Sequence, residues 1–180
     1  MPSASATSAK HLPTTRMTMS PSARARMLDH EKIVLRYYND LGKNRGNCTW
    51  GAGILAHKGV CSQEELQRKV SLSDVNAELN RRVEEAEAYV YRAIKVSLTQ
   101  DQFDALVSLT YNAGVRGMKD TYGFINRSDF KGAAANIRMM NKVTIVEKGK
   151  KKSVIARGLI GRRTEESAPF DVPIASSTKQ

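Results

Sequence analysis

From about Asn76 to Ile94 the apolar residues Leu79, Val83, Ala86, Val90 and Ala93 recur at intervals of three and four, with Arg81-Arg82 and Glu84-Glu85 between them. That is the helical period, and it predicts one long amphipathic helix. At about 1.5 Å per residue such a helix spans roughly 28 Å, long enough to join two lobes. A chain of 180 residues with 41% hydrophobic content can form one good core or a domain of two small lobes around it.

On the C-terminal side, Thr99-x-x-Gln102 is a capping-box pattern, and Phe103, Leu106, Val107 and Thr110 follow on one stripe. This predicts the central core helix of the second lobe, with Gly114 capping its end. Further helices are expected over 117–126 and 129–140. A hairpin over 143–155 should turn at Lys148-Gly149, and a helix from about 157 to 168 should be ended by Pro169 or distorted in its last turn. On the N-terminal side, Ser62-x-x-Glu65 predicts a helix through Val70, and Pro21 or Ser22 opens a short helix that ends near Glu31. Residues 1–20, rich in Ser, Thr, Ala and Pro, read as a flexible basic tail. Residues 21–180 then form a single α+β domain: a small lobe with a β-hairpin sheet at about 22–70, the linking helix at about 76–94, and a helical lobe at about 95–170.

The stretch Leu28–Ile54 carries the chemistry. IVLRYY favours a strand through its β-branched and aromatic residues, and Asp40-Leu-Gly marks a turn. In TWGAGI, alternation puts Thr49, Gly51 and Gly53 on one side and Trp50, Ala52 and Ile54 on the other. The Trp side reads as core, and the bulk-free Thr-Gly-Gly side as a surface on which something large can lie. Glu31 and Asp40 flank that space. A proton donor on one side of a sugar ring and a carboxylate on the other are what glycosidic cleavage requires. Glu31, packed at the lobe boundary, is the candidate acid, and Asp40, in a polar turn, the candidate that stays ionised. Nine extended residues would reach about 30 Å, so the chain must bend back between them, as a strand-turn-strand does.

A helix-ending Glu, nine residues to an Asp after a strand, then T-x-G-x-G resembles the phage-type lysozymes, the peptidoglycan muramidases. The resemblance continues into QFDALVSLTYNAG at 102–114 and GLIGRRTEESAPF at 158–170, covering roughly residues 22 to 170. It implies a lysozyme-like fold in which Glu31 is the general acid, Asp40 the nucleophile or water-activating base, and Thr49 the third member of the triad. The substrate would be the β-1,4 bond between N-acetylmuramic acid and N-acetylglucosamine, with neither cofactor nor metal. Asn112 matches a position that lines the substrate cleft. Gly51, Gly53 and Arg157 are further candidate substrate contacts, and Arg162, Arg163 and Glu166 read equally as a salt-bridged helix face. The sequence departs from the family in its longer Asp40-to-Thr49 interval and in having Ile54 where many members have His.

No run reaches the roughly 18 apolar residues of a membrane span, and the N-terminus has no apolar region of a secretory signal. Synthesis in a host cytoplasm is therefore expected, with access to the periplasmic wall through a holin-type lesion, as the resemblance implies. Cys48 and Cys61 form no CxxC, so no zinc or thioredoxin motif is supported. A bridge between them can form only after export, and a cytoplasmic origin makes two free thiols the expectation. The net charge of +11 and KGKKK at 148–152 suit an anionic outer-membrane surface. They also suggest, from another class, a basic nucleic-acid-binding protein. That reading lacks a recognised motif, and aromatics are only 6%, so no specific nucleic acid is expected. A lytic transglycosylase using Glu31 is the enzymatic alternative, and a monomer is expected.

Overall fold

The computed structural model describes residues 16–147 and 150–171. Helix α1 (Pro21–Asp29) opens with Pro21 in its first turn, where a missing N–H costs nothing, and with Ser20 as N-cap accepting from the Ala23 N–H. The Glu31 N–H closes a last turn onto the Leu28 carbonyl at 2.9 Å, so Glu31 leaves the helix directly at its end. Strands β1 (Val34–Asn39), β2 (Cys48–Gly51) and β3 (Ile54–His57) form one antiparallel sheet in that order.

TWGAGI is not one alternating strand. β2 stops at Gly51, the chain turns at Ala52-Gly53, and β3 starts at Ile54. Gly51 and Gly53 have φ of +59° and +74°, left-handed values that rotate the chain out of the period-2 pattern. The consequence is a loss of alternation: Ala52 and Ile54 are buried with Trp50 packed against the small core, as expected, and Gly53 is exposed, but Thr49 and Gly51 are buried as well. Helix α2 (Gln63–Gln67) has the capping box of Ser62 and Glu65 but stops short of Val70. Lys69 instead bridges to Arg36, and the Val70 N–H donates to the Leu35 carbonyl, so the β1 edge takes this segment.

Helix α3 (Leu72–Ala93) starts earlier than its apolar stripe because Ser71 caps it through the Asp74 N–H. Its buried residues Val75, Leu79, Val83, Ala86 and Val90 serve two cores from one stripe. Val75 and Leu79 pack with Ala52 in the small lobe, and Val83, Ala86 and Val90 join the main core. That is the joining helix the periodicity predicts.

The large lobe holds α4 (Gln100–Gly117), α5 (Lys119–Asn126), α6 (Phe130–Met139), the antiparallel strands β4 (Lys142–Glu147) and β5 (Lys150–Ile155), and α7 (Arg157–Asp171). α4 is the core helix, buried continuously from Gln102 to Thr110, and Gly114 breaks it at φ +70° before a last turn to Gly117. α7 does not end at Pro169. Its last turn is held from outside: Phe170 is buried and stacks on Phe130, and Gln102 Nε2 donates to the Pro169 carbonyl at 3.3 Å. The expected turn at Lys148-Gly149 lies outside the described residues.

Two further expectations need correction. The proposed tail boundary at 20 is too late, because Met19 N–H donates to Glu87, Ser20 is bound by Asp104, and Arg16 lies over the Tyr91 ring. Residues 1–15 lie outside the described region. The cysteines are not free thiols: Cys48 and Cys61 form a disulfide. The Cys48 N–H donates to Gly59 O and the Cys61 N–H to Asn39 Oδ1, so the strands bring the two sulfurs together. Among the described residues no helix is long and apolar enough to cross a membrane.

Candidate active site

Glu31, at the end of α1, is recessed: its side chain is 17% exposed. Its Oε1 accepts from Arg162 Nη1 of α7 at 3.2 Å. Glu31 is therefore packed, as expected at the lobe boundary, and its neighbour there is a guanidinium. Arg162 is itself buried and shared, with Nε on Glu166 Oε1 at 3.1 Å and Nη2 near Ser108 Oγ at 3.4 Å. Ser108 donates to Glu166 Oε1 at 2.6 Å. On its other oxygen Glu166 takes Arg163, which also reaches Asn112 Oδ1 and donates to the Met140 carbonyl. One buried carboxylate thus balances two guanidiniums, and the spare donor of Arg162 holds Glu31 by a single oxygen. The other carboxylate oxygen of Glu31 is left out of that ion pair.

Asp40 sits on the exposed turn after β1. Its Oδ1 accepts from the Asn47 N–H at 2.8 Å and its Oδ2 from Asn47 Nδ2 at 3.2 Å. The Asp40 N–H donates back to the Asn47 carbonyl at 3.1 Å, and the Thr49 hydroxyl donates to the same carbonyl at 3.3 Å. Asn47 is therefore the hub that ties Asp40 to Thr49, and it is what lets the longer loop bring them together. Tyr38, paired across the strands with Thr49, senses both acids. Burial pushes its phenol pKa up, a bond from the Gly53 backbone opposes this, and the charges of Asp40 and Glu31 raise it further. The β1–β2 hairpin bends the chain back, pairing Asn39, beside Asp40, with Cys48, beside Thr49.

The other sequence candidates are spread out. Gly51 is buried, and a Cβ there would meet Val75 Cγ2 at 3.0 Å, so it faces α3. Gly53 is open, with nothing within 4 Å of such an atom. Asn112 is exposed on α4 and tied to Arg163, while Arg157 opens α7 at the surface. Ser108 and Asn47 escaped the sequence reading, because a Ser inside a buried helix stripe and an Asn in a polar loop carry no pattern of their own. Tyr111 is near Glu31 as well: burial, then the Glu31 charge, push its phenol up to about 12. Its hydroxyl is buried without a hydrogen-bond partner among the described residues. Side chains of metal-ligand type gather, among the described residues, at Cys48, Cys61 and Glu65, where the two sulfurs are bonded to each other.

The sequence model of the phage lysozymes matches residues 29–166, from just before Glu31 to Glu166. The chain belongs to the phage lysozyme family. It is thus a lysozyme-type glycoside hydrolase. The endolysin of Acyrthosiphon pisum secondary endosymbiont phage 1 is 27% identical over 141 residues, 77% of this chain and 93% of that protein. The endolysin of Bacillus phage PZA is 38% identical over 84 residues, which are 46% of this chain and only 30% of that longer protein. Among solved structures, the endolysin from Escherichia coli O157:H7 phage FAHEc1 superposes with a TM-score of 0.68 at 33% identity, covering 86% of this chain and 93% of that one. The muramidase domain of SpmX from Asticaccaulis excentricus shares the fold, with a TM-score of 0.67 at 23% identity over 88% of this phage lysozyme and 100% of that domain.

Proposed function

We propose that the chain is an endolysin-type muramidase that hydrolyses the β-1,4 bond between N-acetylmuramic acid and N-acetylglucosamine in bacterial peptidoglycan. The observation that carries this reading is the hairpin geometry, in which Asn47 holds both Asp40 and Thr49 on the sheet that follows Glu31. Glu31, held by Arg162 through one oxygen, delivers a proton to the leaving glycosidic oxygen from the other. Asp40, fixed by two donors of Asn47, faces the opposite side of the ring as nucleophile or as base for a water. Thr49, tied to the same Asn47 carbonyl, positions that water or the sugar. Gly53 leaves room for the saccharide, and Asn112 and Arg157 line its path. After synthesis in the host cytoplasm the enzyme reaches the wall through a holin-type lesion and acts as a monomer, causing lysis.

The test is turbidity loss of permeabilised Gram-negative cells, with mass analysis of the released sugars. Hydrated reducing ends support a muramidase, and anhydro ends a transglycosylase. Glu31→Gln removes the transferable proton, and Asp40→Asn removes the charge facing the cationic transition state. Each should lower turnover by about 100-fold or more while the fold persists. Folded Glu31→Gln protein that clears walls at the normal rate would end the assignment.

A further inference from the structure

We infer that Asp104 is a positioning residue for Glu31, acting through Ser20 and the whole length of α1. This deepens the reading in which Glu31 is the acid and rests on it. Asp104, on α4, is 4% exposed, and its hydrogen bonds among the described residues go to Ser20 and Gln100. Its carboxylate accepts three bonds from neutral donors: the Ser20 N–H at 2.9 Å, the Ser20 hydroxyl at 2.6 Å and Gln100 Nε2 at 2.8 Å. A buried carboxylate carries a desolvation cost that good hydrogen bonds must offset, so its two bonds to one serine hold that serine firmly.

Ser20 is the N-cap of α1. Its hydroxyl donates to Asp104 while accepting the Ala23 N–H at 3.2 Å, and its carbonyl takes the first intrahelical bond from Arg24 at 2.9 Å. The start of the helix is therefore pinned to α4, just as its far end is pinned to α7 by Glu31 and Arg162. Between the ends Ala23 and Met27 sink into the main core and Arg24 bonds the Asn80 side chain of α3, while an open cleft of about 260 Å³ runs beside the helix, lined by Arg26, His30, Asp104, Ser108 and Arg162. α1 is a short rigid strut between Asp104 and Arg162.

From Ser20 to Glu31 the strut is about 16 Å long, so a tilt of about 4° moves the acid by about 1 Å. A displacement of that size can cost up to about 100-fold in rate. Sugar binding is made elsewhere in the cleft and should not respond.

The test measures kcat and KM on soluble uncross-linked glycan strands for the full chain carrying Asp104→Asn, Ser20→Ala or both, with Glu31→Gln as control. Asp104→Asn should lower kcat about tenfold with KM within about twofold of wild type, and Ser20→Ala should lower kcat about threefold. The double variant should be no slower than Asp104→Asn alone, because both changes break one link. Wild-type kcat in Asp104→Asn, losses that multiply in the double variant, or a loss confined to KM would overturn the inference. If Asp104→Asn does not fold, Ser20→Ala decides: a wild-type kcat rejects the strut. An inactive Glu31→Gln with a normal Asp104→Asn rejects only this inference, whereas an active Glu31→Gln rejects the underlying reading.

Discussion

Replacing Glu166 with Gln tests the buried charge cluster behind Glu31. Glu166 is 6% exposed and accepts from Arg162 Nε at 3.1 Å, from Ser108 Oγ at 2.6 Å and from Arg163. The amide keeps the shape, but it leaves two buried guanidiniums facing a neutral group whose NH2 is itself a donor. Removing one partner of a buried ion pair costs about 3–5 kcal/mol. Arg162 retains Glu31 and Arg163 retains Asn112 and the Met140 carbonyl, so the lower figure, about 3 kcal/mol, is expected. For a chain of this size that is a fall in Tm of roughly 6–12 °C. Urea unfolding followed by far-UV circular dichroism gives the same quantity without adding salt. Because the cluster is shielded from solvent, the loss should persist at high salt. The control is Glu85→Gln on the exposed face of α3, whose pair with Arg81 should matter little, and only at low salt. A Tm change below about 2 °C, or a loss that salt removes, would show that the arginines are compensated by other groups and refute the reasoning.

Reducing the Cys48–Cys61 bridge, which closes a sequence separation of 13, should lower stability by about 3 kcal/mol, and the double Ser variant should match reduced wild type and ignore reductant; a wild-type midpoint unmoved by dithiothreitol speaks against this. In Gly46→Ala the new Cβ would collide with the Asp40 carboxylate and come within 2.8 Å of Leu41 N, at a φ of +86°. Pushing Asp40 off Asn47 should reduce turnover at least about tenfold, and normal turnover in a folded variant would contradict it. Tyr111→Phe removes a buried hydroxyl without a partner and should raise stability by about 1–2 kcal/mol in a denaturant series, so that a measured destabilisation would imply an interaction of the hydroxyl that the geometry lacks.

Side chains whose roles depend on contacts far along the chain were the hardest to read. Arg162 and Glu166 are four residues apart and looked like any helical ion pair, yet Arg162 meets Glu31 at a sequence separation of 131. Asn47 carries no signal, because its role depends on the backbone bending so that its N–H meets Asp40 and its carbonyl meets Thr49. A cytoplasmic origin argues for free thiols, but the sheet register opposes Cys48 to His57 and leads the chain straight back to Cys61.

Local, periodic features were settled by the sequence itself. The apolar stripe of α3, the capping boxes at Ser62 and Thr99 and the break at Gly114 involve residues within a few positions of each other, and each is the lowest-energy local choice. The tertiary structure decided what no short window contains. It bent TWGAGI into a hairpin through two glycines with positive φ, ran α7 past Pro169 because Phe170 had a core to enter, and brought Arg162 onto Glu31 from the far end of the domain. Burial and ion pairing depend on which surfaces meet, and that is fixed only when both lobes have closed on α3.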